Sequence, residues 1–296
     1  MKSAINKSYF LLHIIVLIFG FTGVLGEAIS LPSERIVWFR VVIAVVSLFI
    51  YCVVLKKNIF SITKKQLIQY IGVGFIVALH WISFFYAIKI SNVSVALASL
   101  SSGALFTSFL EPLLNKKKFL WYEALLGIMI VFGLILIFNF SLHYYMGIVV
   151  ALISSFLAAV FGIFNARFSA ENKNSTSITF FEMLGGVILL SIYFLVTKQL
   201  DSSFFILSSN DIVLLIILGV VATSFAFVGI VKVLQNVSAF TVALSINLEP
   251  IYGILVALYL WPEKEKMDSG FYGGTLIILA ALFTNAVLKK KYSKVG

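Results

Sequence analysis

The stretch Val237-Ser238-Ala239-Phe240-Thr241-Val242-Ala243-Leu244-Ser245-Ile246-Asn247-Leu248-Glu249-Pro250 is apolar enough to lie in a membrane, yet it carries hydroxyls, a carboxylate and a proline at its heart. Fragments of it occur earlier in the chain. Ile90-Ser91 precedes Val237-Ser238, and Val95-Ala96-Leu97 precedes Val242-Ala243-Leu244, by one and the same offset. The surrounding composition fits a membrane setting. Of 296 residues 61% are hydrophobic and 11% charged, where a soluble domain carries about 45–50% and 25%. Apolar runs recur at about 9–26, 34–55, 66–88, 91–114, 119–139, 144–168, 177–197, 211–234, 237–260 and 270–288. At about 1.5 Å rise per residue each can cross a bilayer, so ten transmembrane helices are expected, joined by connections too short for an extramembrane domain.

Orientation follows from the basic residues. With the N-terminus in the cytoplasm, fifteen of the 22 Lys and Arg fall on that side: Lys2, Lys7, Lys56, Lys57, Lys64, Lys65, Lys116, Lys117, Lys118, Arg167, Lys173, Lys289, Lys290, Lys291 and Lys294. Five fall opposite: Arg35, Lys89, Lys198, Lys264 and Lys266, with Arg40 and Lys232 inside spans. This positive-inside bias places both termini in the cytoplasm and accounts for the net charge of +10 without nucleic acid as a partner. Contact with membrane lipid is the expected by-product. The first apolar run, which follows Lys2 and Lys7, lacks a convincing cleavage site and reads as an uncleaved helix.

The recurring fragments divide the chain into two halves, 1–140 and 141–296, of five spans each. An odd number of spans makes the second copy enter the membrane inverted. The expected fold is therefore an all-α polytopic bundle of two inverted five-helix repeats, an arrangement whose substrate sites lie near the midplane.

Ionisable side chains at the centre of a bilayer cost roughly 2.5 kcal/mol or more, so each needs a reason. Glu249 lies about 16 Å along the ninth span from Ser238, close to the midplane. Ser238, Thr241, Ser245, Glu249 and Tyr252 are spaced by threes and fours and are expected to form one polar stripe beside the helix-weakening Pro250. Glu249 is the expected substrate-amine or proton site, unless it is a structural carboxylate tied to Asn247 or a hydroxyl. Arg40 is either the partner of a substrate carboxylate or a structural cation paired with Glu27 or Glu34. His80 next to Trp81 reads as a proton relay or a packed histidine. Ser101 and Ser102 beside Gly103, together with Asn165, Thr223, Ser245 and Tyr252, are further candidates for contact with substrate. Glu182, which corresponds roughly to Arg40 in the second half, reads as a coupling or gating group on the other side of the midplane. Gly103 and Pro250 are the expected gating points.

The residues Arg40-x-x-x-Ala44, the run Phe84-Phe85-Tyr86-Ala87-Ile88-Lys89-Ile90-Ser91 leading into Val95-Ala96-Leu97, and Val237-Ser238 through Leu248-Glu249-Pro250 resemble the drug/metabolite transporter superfamily in its ten-helix, two-EamA form. The chain departs from that pattern with Gly103 where a proline is usual and with Trp261-Pro262-Glu263 at the end of the ninth span. The resemblance implies a multi-pass carrier of the bacterial inner membrane that exports amino acids or other small metabolites by alternating access, with a small-molecule substrate and possible proton coupling.

Other classes lack their residues. There is no GxxxxGK[ST] loop for a nucleotide-driven pump. Asp201, Asp211 and Asp268 fall in loops or at span edges, so no membrane aspartate pair supports a protease, and no Gly-x-Ser-x-Gly turn supports a hydrolase. The single cysteine, Cys52, and the scattered His13, His80 and His143 offer no metal site. No enzyme activity, catalytic residue, cofactor or metal is expected. A passive channel or a non-transporting sensor or scaffold is the alternative to a carrier.

Overall fold

The computed structural model describes residues 2–115, 121–140 and 142–292. Lys116, Lys117, Lys118 and Lys294, which contribute to the expected charge bias, lie outside the described residues. The described chain is helical throughout: α1 (Lys2–Ala28), α2 (Ser33–Val54), α3 (Lys64–Ile90), α4 (Val93–Leu100), α5 (Gly103–Asn115), α6 (Trp121–Phe140), α7 (Tyr145–Glu171) and α8 (Ser175–Val196). It continues with α9 (Ser209–Ile216), a π-helical segment (Ile217–Phe225), α10 (Ala226–Val233), α11 (Ala239–Ile246), α12 (Glu249–Leu260), the short α13 (Pro262–Glu265) and α14 (Ser269–Tyr292). Eight helices, counting α4–α5, α9–α10 and α11–α12 as single spans, are long and apolar enough to cross a membrane. Two shorter apolar stretches, Leu125–Ile137 and Ser269–Ala281, lie within α6 and α14.

The spans are outlined by local chemistry. Thr63 opens α3 with a capping box, its hydroxyl accepting from the Gln66 N–H while the Gln66 side chain accepts from the Thr63 N–H. Asn92 caps α4 by accepting from the Val95 N–H, and Ser238 caps α11 by accepting from the Thr241 N–H. The helices α2 and α8 end alike. Lys56 and Lys198 adopt φ of 51° and 56°, and the next residues, Lys57 and Gln199, donate back to the carbonyls of Cys52 and Phe194 at 2.8 and 3.0 Å. This is a Schellman ending, with lysine in the position that glycine usually takes.

The fourth and ninth spans are each broken in two. α4 ends at Leu100 and α5 begins at Gly103; α11 ends at Ile246 and α12 begins at Glu249. At the first break Ser102 N–H turns back to Ser99 O at 3.1 Å, and at the second Leu248 N–H turns back to Ser245 O at 3.1 Å. Pro250 fits there because the first turn of a helix needs no N–H from it. The expected polar stripe is corrected at its two ends. Ser238 is exposed and Tyr252 keeps 37% of its surface, so these two do not share a buried face with Glu249.

Helices of the first half pack mainly on helices of the second: α3 and α2 on α8, α1 on α12, and α6 on α14. Glycines permit these crossings. A Cβ on Gly74 would stand 2.0 Å from the Glu182 carbonyl oxygen, and one on Gly185 would stand 2.4 Å from that of Ile71, so α3 and α8 touch backbone to backbone. Gly133 and Gly274 do the same for α6 and α14.

Candidate functional site

A cavity of about 990 Å³, measured to its open mouth, lies between the broken spans and α1, α2, α3, α7 and α10. Its walls are chiefly apolar and aromatic, with Phe19, Trp81, Phe84, Phe161 and Phe227 among them. The polar groups on its lining are few: Thr22, Arg40, His80, Thr107, Asn165, Asn247 and Glu249. A few polar groups set into an apolar, concave wall are the general make-up of a small-molecule site.

Arg40, eight residues into α2, is 2% exposed. Its Nε donates to Thr223 Oγ1 at 2.6 Å and its Nη2 to the Ala222 carbonyl at 3.3 Å. The guanidinium carbon stands 3.8 Å from the centroid of the Trp81 ring and 5.7 Å from that of Phe85. Arg40 is not paired with Glu27 or Glu34, as one sequence reading had it: Glu27 accepts from Lys264, and Glu34 accepts from Ser33. The π-helical segment makes the Arg40 contact possible. Its widened turn lets Thr223 donate to the Leu218 carbonyl at 2.7 Å while its lone pairs face Arg40. Such segments recur at functional sites in helices.

Glu249 opens α12 and is 5% exposed. The Thr22 hydroxyl is 3.5 Å from its Oε1, and Asn247 does not bind it: the buried Asn247 Nδ2 has no partner. Arg40 and Glu249 line the same cavity. His80 also lines the cavity and is tied to α7. Its Nδ1 is 2.8 Å from both the hydroxyl and the carbonyl oxygen of Ser154, and its ring stacks with Phe84 at 6.4 Å.

The remaining candidates separate. Trp81, Asn165 and Gly103 line the cavity. Ser101, Ser102, Thr223, Ser245, Tyr252, Glu182 and Pro250 are not on its lining. Ser101 and Ser245 bond the carbonyls of Leu97 and Thr241 one turn back, and Ser102 donates to Ser155 Oγ at 2.9 Å. These hydroxyls are spent on backbone and helix packing, as polar groups in helices commonly are. Thr223 reaches the site only through Arg40, and Glu182 only through Asn165, whose Nδ2 is 3.4 Å from Glu182 Oε2. Sequence reasoning missed Phe19 and Thr22 on α1, and Phe161 and Phe227. Thr22 carried no signal of its own, being a single hydroxyl in a hydrophobic run.

The two ends of the bundle differ. At one end the cavity adjoins, at Leu234 and Ala239, a second polar pocket of about 770 Å³ that includes Asn115, Arg167, Gln235 and Ser238. The other end is laced by polar contacts. There the Glu265 carboxylate accepts from the N–H groups of Val93 and Ser94 at 3.0 and 2.8 Å, capping α4 from the short α13. Lys264 pairs with Glu27, Lys89 donates to the carbonyls of Glu27 and Ile29, and Ser30 donates to Asp211. Glu265 was invisible in the sequence, where Pro262-Glu263-Lys264-Glu265 reads as an ordinary charged turn. Among the described residues no cluster of His, Cys, Asp and Glu could hold a metal ion.

The model of the EamA-like transporter family matches the chain twice, over residues 6–139 and 145–287. The chain belongs to the EamA-like transporter family. Membership places this EamA protein in the drug/metabolite transporter superfamily, makes it a multi-pass secondary transporter with a small-molecule substrate, and separates it from enzymes. A crystal structure covering 95% of this chain and 98% of its own superposes with a TM-score of 0.72 at 11% identity, a likeness of fold. No curated protein matches the sequence.

Proposed function

We propose that this EamA protein exports an amino acid or similar zwitterionic metabolite across a bacterial inner membrane by alternating access. In this reading the ten spans form two inverted repeats, 1–140 and 141–296, with both termini in the cytoplasm, so that the polar pocket at Arg167 opens inward and the Glu265 end is the closed outer gate. The basic residues support that orientation, and the polar contacts lacing the Glu265 end argue against a continuous pore.

The observation that carries the reading is that a guanidinium and a carboxyl group, those of Arg40 and Glu249, stand on the walls of one mostly apolar cavity. A zwitterion matches it: the carboxylate faces Arg40, which keeps donors free after its bonds to Thr223 and Ala222, and the amine faces Glu249, whose one side-chain partner is the distant Thr22 hydroxyl. The aromatic walls accommodate the side chain. Pivoting at the breaks beside Gly103 and Pro250 supplies the motion.

Counterflow in proteoliposomes tests this, with a panel of labelled amino acids, wild type against Glu249→Gln. Saturable exchange of one class that disappears in the variant is expected. Unchanged exchange in the variant removes Glu249 from the mechanism, and no exchange of any amino acid by folded protein moves the substrate to another class.

A further inference from the structure

Three buried oxygens on α7 and α8 have no hydrogen-bond partner: Glu182 Oε1, Thr179 Oγ1 and Asn165 Oδ1. All three residues are 0% exposed. Thr179 and Glu182 are three residues apart on α8 and therefore share a face. Asn165 comes to them from α7, its Nδ2 holding Glu182 Oε2 at 3.4 Å while its own oxygen is left over.

Each unsatisfied buried polar atom costs about 1–3 kcal/mol, and more for a carboxylate. No hydrogen bond from the surrounding helices reaches these oxygens. On α3, Gly74 presses backbone against the Glu182 carbonyl, and the Tyr70 hydroxyl accepts from Asn172 Nδ2 at 3.3 Å. On α2, Arg40 is bound to Thr223 and Ala222, and on α10, Lys232 is exposed. Among the described residues no cation pairs with Glu182.

We propose that Glu182, Thr179 and Asn165 bind a sodium ion, reached from the cavity past Asn165. The donor set is all oxygen: one carboxylate, one amide and one hydroxyl. Hard cations take such ligands, and a single carboxylate matches a single positive charge, whereas a divalent ion would call for further carboxylates that the patch lacks. Resting on the transport reading above, the ion is the coupling ion, held behind the wall that the substrate touches.

The test is binding of radioactive sodium to purified full-length protein in detergent, followed by scintillation proximity, with no transport required. Saturable binding to wild type, displaced by unlabelled sodium and not by equal potassium, is expected. Glu182→Gln, Asn165→Ala and Thr179→Val should each weaken it by roughly tenfold or more, the range seen when the supporting ligands of a metal site are lost. Glu249→Gln should bind sodium as wild type does. Size-exclusion profiles establish folding, and if Glu182→Gln fails that check the other two variants carry the test. No saturable binding by folded wild type, or undiminished binding by all folded variants, overturns the site. Saturable binding without exchange of any substrate upholds the site and counts against the transport reading instead.

Discussion

The guanidinium of Arg40 stands 3.8 Å from the centroid of the Trp81 ring, so the one arginine buried in the cavity wall rests on an indole face contributed by the neighbouring span. A desolvated cation–π contact is worth up to about 2 kcal/mol. Here it also fixes the plane of the guanidinium, leaving its edge for Thr223 and for a ligand.

Trp81→Leu should therefore raise the Kd of the substrate found by counterflow by about five- to thirtyfold, equivalent to about 1–2 kcal/mol. Arg40→Lys keeps the charge but loses the planar fork, and should weaken binding at least as much. Equilibrium binding in detergent measures both. An affinity unchanged in Trp81→Leu would show that the indole does not orient Arg40.

Gly74→Ala places a methyl 2.0 Å from a backbone carbonyl of α8, so the two helices must part. The expected loss is about 1–3 kcal/mol of stability, the range for overpacking. Gly72→Ala, with nothing within 4 Å of the added carbon, should instead be neutral or stabilising. Thermal unfolding followed by fluorescence-detected size exclusion compares the pair, and equal melting temperatures would contradict the close crossing.

Glu265→Gln replaces a capping carboxylate that serves both the Val93 and Ser94 amides. Loss of a cap costs about 0.5–2 kcal/mol. Hydrogen exchange at those two amides should accelerate, with far smaller changes at the Asn174 cap of α8, which lies elsewhere. Unchanged exchange would mean that this end is held by other contacts.

Pro250→Ala and Gly103→Ala should raise helical continuity at the two breaks. Gly103→Ala should gain about 0.4–1 kcal/mol of stability where the added methyl is accommodated, whereas Pro250→Ala, which frees the unfolded chain at a position that suits proline, should lose about 0.4–1 kcal/mol; both should slow exchange in counterflow. Gly103 is the more constrained site, since its new carbon would sit 3.3 Å from Ser155 Oγ. Faster turnover in either variant would argue that the breaks are not pivots.

Much of this was readable from the residues, for physical reasons. Arg40, His80, Glu182 and Glu249 announced themselves because a charge or imidazole in an apolar run is costly to keep. The apolar runs themselves lie on the observed helices. What could not be read depended on interrupted periodicity. The stripe from Ser238 to Tyr252 assumes one regular helix, and a tighter turn at Asn247 and Leu248 interrupts it. The π-helical turn that brings Thr223 to Arg40 leaves no mark in hydropathy. Glu265 gained its meaning only from a partner 172 residues away in sequence.

The packing of first-half helices on second-half helices has a consequence for biosynthesis. When Gly74 has entered the membrane, the segment that will press against it, around Glu182, is still about a hundred residues from being made. At about 5–20 residues per second that interval lasts on the order of 5–20 s. Throughout it, the glycine-lined face of α3 lacks its partner on α8, and Arg40 has Trp81 within reach but not yet Thr223 or Ala222. The nascent chain is thus most vulnerable halfway through translation, and substitutions that speed completion of α8 would protect it more than any that strengthen the first half alone.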